Sequence, residues 1–335
     1  MSTRYYVTGN TAKGLVNFLD TNVDGIENVF LLKHSSPLFK SKIIYSLLEH
    51  YQKDNVELLL SRLGNEYLDG IINREKSLAV LDASVADAGT VVELDKQYPS
   101  VQNTGEADIA LVQNAYNCFQ NGLRFHDELE GIYIEQMDFE HANEYAYEYI
   151  DNLLKGVTKH STKGHMYHRL FGTNTPDGVV NEVPHLIEDI KNVDYIKGRA
   201  GTGKSTFMKK IAKTCVDYGF DTEVYHCSFD PNSLDMVLVR ELDFCIFDST
   251  DPHEFLPKRQ GERVVDLYKE FVAPGTDEKF ASEIDKWNTR YKACMKEGVQ
   301  YLKKSGELLK QAEKNKFNQE DIYGATEYVL QKYIR

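Results

Sequence analysis

The stretch Gly198-Arg-Ala-Gly-Thr-Gly-Lys-Ser205 matches the pattern GxxxxGK[ST] at every fixed position. It lies between an apolar, strand-like segment, Val193 to Ile196, and an amphipathic helical pattern that begins at Thr206. Glycines at these positions allow backbone angles that other residues resist, so successive N–H groups can point inward around a phosphate at the start of a helix. The stretch therefore predicts a phosphate-binding loop between a strand and a helix.

The residues of this loop have separate roles in the prediction. Lys204 supplies a mobile cation for the β- and γ-phosphates, and Ser205 supplies a hydroxyl ligand for Mg²⁺. A glycine turn without a ligand is the alternative, but the complete pattern between a strand and a helix favours nucleotide binding. The predicted nucleotide contacts are Gly198, Arg199, Ala200, Gly201, Thr202, Gly203, Lys204, Ser205 and Thr206.

A second motif follows the loop. Phe244-Cys-Ile-Phe-Asp248 is a short apolar run that ends in an acid. Such a run predicts a buried parallel strand whose terminal carboxylate, here Asp248, holds Mg²⁺ through the water shell of the ion. An aspartate that only caps a following helix is the alternative.

Together the two motifs, which cover Val193 to Asp251, resemble the P-loop NTPase superfamily. Within it, the chain is similar to bacterial proteins with two successive P-loop units that are labelled ATPases or nucleotide kinases. This resemblance implies ATP and Mg²⁺ as cofactors, with Ser205 and Asp248 as the metal-binding residues.

The first half of the chain repeats the second half at a constant offset. Lys33 to Ser41 follows an apolar stretch and precedes an amphipathic helical pattern, as Lys197 to Ser205 does, and 197−33 and 205−41 both give 164. We therefore expect an α/β fold of two P-loop NTPase-like units, each a parallel sheet flanked by helices and followed by a helical hairpin. The expected domains are residues 1–160, a degenerate unit, and residues 165–335, the active unit.

The first copy has lost the glycines of the loop. His34, Pro37 and Phe39 stand at their positions, and Pro37 has no N–H to offer a phosphate. The polar positions persist as Lys40, Ser41 and Asp82. We interpret the first unit as regulatory or structural, with a second working nucleotide site as the alternative.

Helices are predicted outside the two α/β cores. Thr276 caps a long periodic pattern that continues to Leu302, Asn318 starts a last helix, and Ala107 to Leu154 holds the counterpart in the first unit. This counterpart carries a dense acidic and tyrosine-rich face that includes Glu130. We interpret the face as solvated charge over half-buried tyrosines, with a docking surface for a basic protein partner as the alternative.

The segment between the two units, Lys155 to Arg169, is basic and contains three histidines, His160, His165 and His168. Their spacing is irregular for zinc and no cysteine or carboxylate lies between them. The segment is therefore predicted to be a flexible connector.

Residues that complete catalysis are harder to place. Many ATPases of the superfamily carry a glutamate after the strand-terminal aspartate, whereas Ser249 and Thr250 follow Asp248 here. Asp251 and Glu254 are the nearest carboxylates and are our candidate bases. The candidate arginine fingers, Arg259 and Arg263, lie just beyond, and an exposed turn before a helix at Val264 is the alternative for this segment.

Three functions follow from these motifs. The leading one is hydrolysis of Mg-ATP coupled to motion between the units. The second is a kinase that transfers the γ-phosphoryl group to a nucleotide or other small acceptor. The acceptor would bind at His226, Ser228 and Asp230, an assignment made by analogy with P-loop kinases. The third is a protein-binding switch that holds ATP with negligible turnover.

Composition limits the partners. The chain has 335 residues, 39 lysines and arginines against 52 acids, and a net charge of −13, most of it in the N-terminal half. This charge disfavours nucleic acid as a partner. No apolar run approaches the length of a membrane span, and five scattered cysteines indicate free thiols, so we expect a cytoplasmic protein.

Overall fold

The computed structural model describes residues 3–51, 54–99, 106–251, 254–314 and 316–334. The chain divides into two compact units. Unit 1 contains Met1–Tyr116, Leu170–His185 and Gly298–Arg335, and unit 2 contains Asn117–Arg169 and Leu186–Glu297. The units are interleaved along the chain, whereas the sequence predicts two consecutive ones.

The elements of the first half are β1 (Arg4–Tyr6), β2 (Thr8–Thr11), β3 (Gly14–Asn17), α1 (Asp20–Val23), β4 (Asn28–Lys33), α2 (Pro37–His50), β5 (Val56–Leu60), β6 (Leu68–Asn73), β7 (Leu78–Asp82), β8 (Thr90–Glu93), α3 (Glu106–Ile134) and α4 (Phe139–Leu153). The strands of the second half are β9 (Met166–Arg169), β10 (Gly172–Thr175), β11 (Gly178–Asn181), β12 (Asn192–Lys197), β13 (Thr222–His226), β14 (Leu234–Val239), β15 (Phe244–Asp248) and β16 (Glu262–Asp266). Its helices are α5 (Val183–Leu186), α6 (Lys204–Tyr218), α7 (Leu267–Phe271), α8 (Thr276–Lys279), α9 (Ala281–Glu313) and α10 (Gln319–Val329), with short 3-10 and π-helical turns at Arg240–Leu242 and Leu330–Ile334. None of the helices in the described ranges is long and apolar enough to cross a membrane.

Each unit contains one six-stranded sheet, and the two sheets have the same strand order. The order is β1-β5-β6-β7-β4-β8 in unit 1 and β9-β13-β14-β15-β12-β16 in unit 2. In both sheets three neighbouring pairs are parallel and two are antiparallel, because β6 and β14 run against their neighbours. The sheets are thus mostly parallel, where the sequence suggested fully parallel ones, and they match as two copies of one unit would.

Two short hairpins in unit 1, β2–β3 and β10–β11, make reciprocal hydrogen bonds. The side-chain amide of Asn10 donates to the backbone carbonyl of Asn174 (2.8 Å), and the side-chain amide of Asn174 donates to the backbone carbonyl of Asn10 (2.9 Å). Tyr6 and Leu170 exchange backbone hydrogen bonds of 2.9 Å in the same reciprocal way. Both pairs are separated by the offset of the repeat, so equivalent residues of the two copies bond to each other.

Two helices, α4 and α10, are exchanged between the sheets. Helix α4, which follows the first sheet in sequence, packs its apolar face against α6 of unit 2, where Tyr149 and Ile150 contact the cluster around Phe207. Helix α10, which follows the second sheet, packs Ala325 and Val329 into the core of unit 1 beside α2. The sequence attaches α4 and α10 to the units that precede them, and that expectation is wrong for these two helices, because their apolar faces are buried on the other sheet.

Three local predictions also change. The residues around Val264 form β16, paired in parallel with β12, whereas the alternative for this segment placed a helix there. Gly275, with a φ of +83°, is the N-cap of the short helix α8, so Thr276 is its first residue and does not cap it. The end of the predicted flexible connector, Met166–Arg169, is the edge strand β9, which pairs with β13. Asn318 caps α10 as expected, through a capping box with Asp321.

Candidate functional site

The predicted phosphate loop lies in unit 2 at the carboxyl edge of the sheet. Strand β12 ends at Lys197, the loop covers residues 198–203, and α6 begins at Lys204. Strand β15 runs parallel to β12 with Asp248 opposite Ile196, and the Ser249 N–H donates to the Ile196 carbonyl (2.9 Å). Because parallel strands end at the same edge, Asp248 lies next to the start of the loop.

The backbone of the loop requires glycine at two positions. Gly201 and Gly203 have φ values of +75° and +80°, in the left-handed region that side chains disfavour. A Cβ on Gly198 would lie 2.5 Å from Oγ1 of Thr202, which donates a hydrogen bond to the Arg199 carbonyl. The N-cap residue of α6 is Gly203, and no described side chain caps this helix, so its first N–H groups are available to an anion.

Lys204 and Asp248 come together beside the loop. The Nζ of Lys204 lies 3.5 Å from Oδ2 of Asp248 and donates to the Arg199 carbonyl at 2.8 Å. Thr250 Oγ1 donates to Oδ1 of Asp248 (2.7 Å), which fixes the orientation of the carboxylate. Both charged side chains are only partly exposed, so they interact in a medium of reduced dielectric.

The hydroxyl of Ser205 connects α6 to β14. Its Oγ accepts a hydrogen bond from the Leu234 N–H at 2.9 Å, which leaves the oxygen a further lone pair for a metal ion. The next residue, Asp235, is buried, and burial together with the nearby charge of Asp248 raises the pKa of Asp235 to about 7. The residues that could hold a divalent cation are therefore Ser205 and Asp248. Asp235 is buried near Asp248.

Sequence reasoning missed Asp235 as a site residue. The signal was present, because the pair Leu234-Asp235 is repeated as Leu68-Asp69 in the first copy. Asp69 is also buried, and burial raises its pKa to about 6. A buried acid kept in both copies pointed to a role at the loop.

Arg199 extends from the loop toward α8. Its guanidinium makes an ion pair with Asp277 (2.9 Å) and lies 4.9 Å from the ring centre of Tyr268. Tyr133, on α3, donates its hydroxyl hydrogen to the other carboxylate oxygen of Asp277 (2.8 Å). The side chain of Arg199 thus connects the loop to α3 and α8, and its backbone carbonyl accepts a hydrogen bond from the Lys204 ammonium.

The last turns of α3 lie directly on the loop. A Cβ on Gly201 would be 2.6 Å from the Glu130 carbonyl oxygen and 3.1 Å from Cγ1 of Ile134. The side chain of Glu130 is half-buried, and burial raises its pKa, whereas the ammonium of Lys204 and the Gly201 N–H oppose this shift by stabilising the carboxylate. The acid that the sequence placed on a solvated face is therefore beside the phosphate loop.

His126 lies one helical turn before Glu130. Its Nδ1 is 3.6 Å from Oε1 of Glu130, and its ring contacts the rings of Phe229 and Tyr291. Burial, and then the charge of Lys204, lower the pKa of His126 to about 4, so the ring is neutral at physiological pH. Sequence reasoning missed His126 and the position of Glu130, because only the exchange of helices brings α3 to this loop.

The two candidate bases predicted from the sequence are bound elsewhere. The carboxylate of Asp251 pairs with Lys292 (2.8 Å), and that of Glu254 pairs with Lys197 (3.0 Å). The hydroxyl of Ser249, which directly follows the strand-terminal aspartate, donates to the Phe255 carbonyl at 2.7 Å. These side chains organise the segment after β15.

The two candidate arginine fingers also have structural partners. Arg259 precedes β16, at the amino edge of the sheet and opposite to the loop, and donates to the carbonyls of Ile187 and Glu188. Arg263 lies within β16, opposite Asp194 of β12, and its guanidinium binds the Asp194 carboxylate at 2.7 and 2.8 Å. The structure brings neither guanidinium to Lys204.

The predicted acceptor residues His226 and Asp230 make hydrogen bonds to the residues that follow them, and His226 also contacts His168. His226 Nδ1 is 2.6 Å from the Pro231 carbonyl, and the Asp230 carboxylate accepts hydrogen bonds from Asn232 and Ser233. Ser228 is buried.

The histidines of the connector do not converge. Among the described residues, one group of three potential metal ligands lies together, and it consists of neighbours on α3, namely His126, Asp127 and Glu130. His160 instead approaches Glu241 (3.3 Å), and His168 Nδ1 lies 2.8 Å from His226 Nε2.

The equivalent position in unit 1 is filled by side chains. Helix α2 begins at Pro37, earlier than its counterpart relative to the repeat, and Ser36 caps it by accepting from the Phe39 N–H (3.1 Å). The ring of Phe39 stacks on Phe317 at 4.1 Å between centres, and the Ser36 hydroxyl donates to Glu313 at the end of α9. The loop of the first copy therefore contains a packed core and no glycine cradle.

One ion pair is kept in this altered position. Lys40 Nζ lies 2.6 Å from Oδ1 of Asp82, and both side chains are buried. Ser41 Oγ accepts from the Leu68 N–H at 3.0 Å, as Ser205 does from Leu234. Unit 1 thus retains these polar contacts, while side chains fill the position equivalent to the glycine loop of unit 2.

No family model matches the chain, and no curated protein or solved structure matches it either. The function is therefore inferred from the residues of the loop and their surroundings.

Proposed function

We propose that this chain binds Mg-ATP at the loop of residues 198–203 and hydrolyses it, with the reaction in unit 2 and a structural or regulatory role for unit 1. One observation carries the proposal: a glycine loop with an uncapped helix start lies at the carboxyl edge of the sheet, together with the pair Lys204 and Asp248. Backbone N–H groups, a lysine and a carboxylate in this arrangement suit a triphosphate and its metal ion.

Each residue of the loop has a task in this proposal. The N–H groups of residues 201–205 would surround the β- and γ-phosphates, which the left-handed glycines permit. Lys204 would leave the Arg199 carbonyl and follow the charge that develops on the transferred phosphoryl group. Bound Mg²⁺ would neutralise phosphate charge, and Ser205 and Asp248 are the residues that would hold it.

ATP is the proposed nucleotide, because the sequence contains no NKxD-like element for guanine. Transfer to a small acceptor has less support, because His226 already bonds to the Pro231 carbonyl and to His168, and Asp230 accepts from Asn232 and Ser233. A switch that binds ATP without turnover would use the same loop as the proposed hydrolase. An experiment is therefore needed to distinguish the two functions.

The test compares phosphate release from Mg-ATP by the natural chain and by Lys204→Ala. We expect the substitution to reduce turnover by about 100-fold or more, because it removes the cation that stabilises the transferred group. Lys213→Ala is the matched control, since Lys213 is an exposed lysine on the same helix and its loss should change turnover less than about twofold.

Each contrary result has a defined meaning. Turnover that survives in Lys204→Ala contradicts a reaction at this loop. Binding of Mg-ATP by the natural chain in calorimetry, without any phosphate release, contradicts hydrolysis and favours the switch. If the natural chain shows neither binding of Mg-ATP nor phosphate release, the whole proposal is contradicted.

A further inference from the structure

The proposed hydrolase needs a group that accepts a proton from the attacking water. Among the described residues after β15, the carboxylates of Asp251 and Glu254 are paired with Lys292 and Lys197. The nearest carboxylates of that segment are thus neutralised by cations. The candidate base is therefore a carboxylate without such a pairing on a described element that contacts the loop.

Helix α3 reaches the loop at Gly201. The Glu130 carbonyl occupies the space that a Cβ of Gly201 would take, so the main chain of α3 and the loop are in direct contact. The Glu130 carboxylate lies in the field of Lys204 and of the Gly201 N–H. Among the described side chains it has no lysine or arginine ion-pair partner, and the neutral His126 is its neighbour at 3.6 Å.

We propose that Glu130 is the catalytic base of the hydrolysis, placed on the phosphate loop by α3, an assignment that rests on the proposed function. The carboxylate and a bound phosphate would compete for the same Gly201 N–H. The carboxylate therefore turns away from the loop as the nucleotide enters, and it is then beside the γ-phosphate with its oxygens available to a water molecule.

In this reaction the γ-phosphoryl group of ATP is transferred to water. The oxygen of the water molecule forms a bond to the γ-phosphorus, and one of its protons passes to the Glu130 carboxylate. The bond between the γ-phosphorus and the bridging oxygen breaks, and its electron pair remains on the β-phosphate of ADP. Glu130 then releases the proton to solvent or to the phosphate product.

The surroundings of Glu130 suit a base. Burial raises its pKa from the ordinary value, and the charges of Asp127 and Asp230 act in the same direction. A carboxylate of higher proton affinity removes a proton from water more effectively than an exposed one does. His126, fixed between Phe229 and Tyr291, limits the rotamers that Glu130 can adopt on this side.

The test uses Glu130→Gln in the full chain, with hydrolysis and nucleotide affinity measured separately. We expect phosphate release to fall by about 100-fold or more, because the amide cannot accept the proton. The dissociation constant for a fluorescent ATP analogue should stay within about threefold or decrease, because the amide does not repel the phosphates. Glu128→Gln, an exposed acid on the same helix, is the matched control and should change neither quantity more than about twofold.

Four results would overturn the assignment. The first is phosphate release within threefold of the natural chain, and the second is faster release with tighter binding, which would make the carboxylate only a competitor of phosphate. The third is the joint loss of binding and release in a folded variant, which would make it a support of the loop. If the natural chain neither binds nor hydrolyses ATP, the proposed function fails and this assignment fails with it.

A second variant protects the test against misfolding. Glu130→Asp keeps the charge and moves the carboxylate by about one bond length, so it should retain affinity and lose about tenfold in turnover. Turnover equal to that of the natural chain in this variant, with Glu130→Gln unfolded, would contradict a base that must be aligned with the attacking water.

Discussion

At the scale of single residues, unit 2 contains two half-buried histidines, His168 and His226, that contact each other. His168 and His226 lie with Nδ1 and Nε2 at 2.8 Å, and the other nitrogen of His226 bonds to the Pro231 carbonyl. Since a carbonyl only accepts, His226 carries its hydrogen on Nδ1, and its Nε2 accepts from His168. A proton added to Nε2 of His226 would require His168 to change tautomer, so the hydrogen bonds assigned here are those of a neutral His226.

This arrangement predicts a pH effect. Burial lowers the pKa of His226 to about 4, with smaller contributions from His168 and Lys209, whereas the unfolded value is about 6.5. Between these values the unfolded state binds more protons, so the contribution of His226 to stability is present above pH 6.5 and is lost as the pH falls to 4. Relative to His226→Gln, the natural chain should lose about 2 to 3 kcal/mol of unfolding free energy over this range.

Urea denaturation at a series of pH values between 8 and 4.5 measures this difference. The amide of glutamine replaces both hydrogen bonds of the neutral ring, so the two proteins should be similar near pH 8. His141→Gln, at an exposed histidine of α4, is the control. Parallel pH curves for the natural chain and His226→Gln would contradict the neutral pair.

At the scale of elements, the contact between α3 and the phosphate loop depends on Gly201. Its φ is +75°, and the Glu130 carbonyl oxygen lies 2.6 Å from the position that an added Cβ would take, which leaves no room for a side chain. The motif predicted a glycine here for phosphate binding. The packing against α3 is a second requirement that the motif does not contain.

Gly201→Ala tests this requirement. We expect a loss of about 1 to 2 kcal/mol in unfolding free energy from backbone strain, and weaker ATP binding because either the loop or α3 must shift. Gly131→Ala is the matched control, since Gly131 lies within α3 with nothing near its Cβ position, and it should stabilise the chain by about 0.5 to 1 kcal/mol. A fully stable Gly201→Ala protein would contradict the close contact.

At the scale of the whole molecule, the chain is a duplication whose copies exchange their helices. Each sheet is covered in part by a helix from the other half of the sequence, α4 on the sheet of unit 2 and α10 on the sheet of unit 1. Equivalent residues such as Asn10 and Asn174 bond reciprocally.

The exchange of helices predicts which unit is destabilised by a substitution in α10. Val329→Asp places a charge in the core of unit 1 and should cost about 3 kcal/mol or more. Hydrogen exchange should then increase in peptides of α2 and β4–β7, with β12–β15 less affected. Tyr323→Asp, on the exposed side of α10, is the control, and earlier exchange in β12–β15 would contradict the exchanged packing.

The local elements of the site were predictable from sequence. The loop between β12 and α6, the strand that ends at Asp248 and the altered loop around Pro37 follow from short patterns of glycine, proline and apolar residues. Such patterns act over a few residues, where backbone angles and alternation decide the structure. The repeat at an offset of 164 also anticipated two similar α/β units.

The partners of these elements were decided by tertiary packing. The direction of β14, the strand at Arg263, the ion pairs that occupy Asp251 and Glu254, and the position of Glu130 on the loop depend on residues distant in sequence. An apolar helix face is buried equally well on either of two similar sheets, so periodicity cannot say which one it covers. Only the folded chain shows that α4 and the last turns of α3 pack in unit 2, and this packing places Glu130 beside the glycine loop.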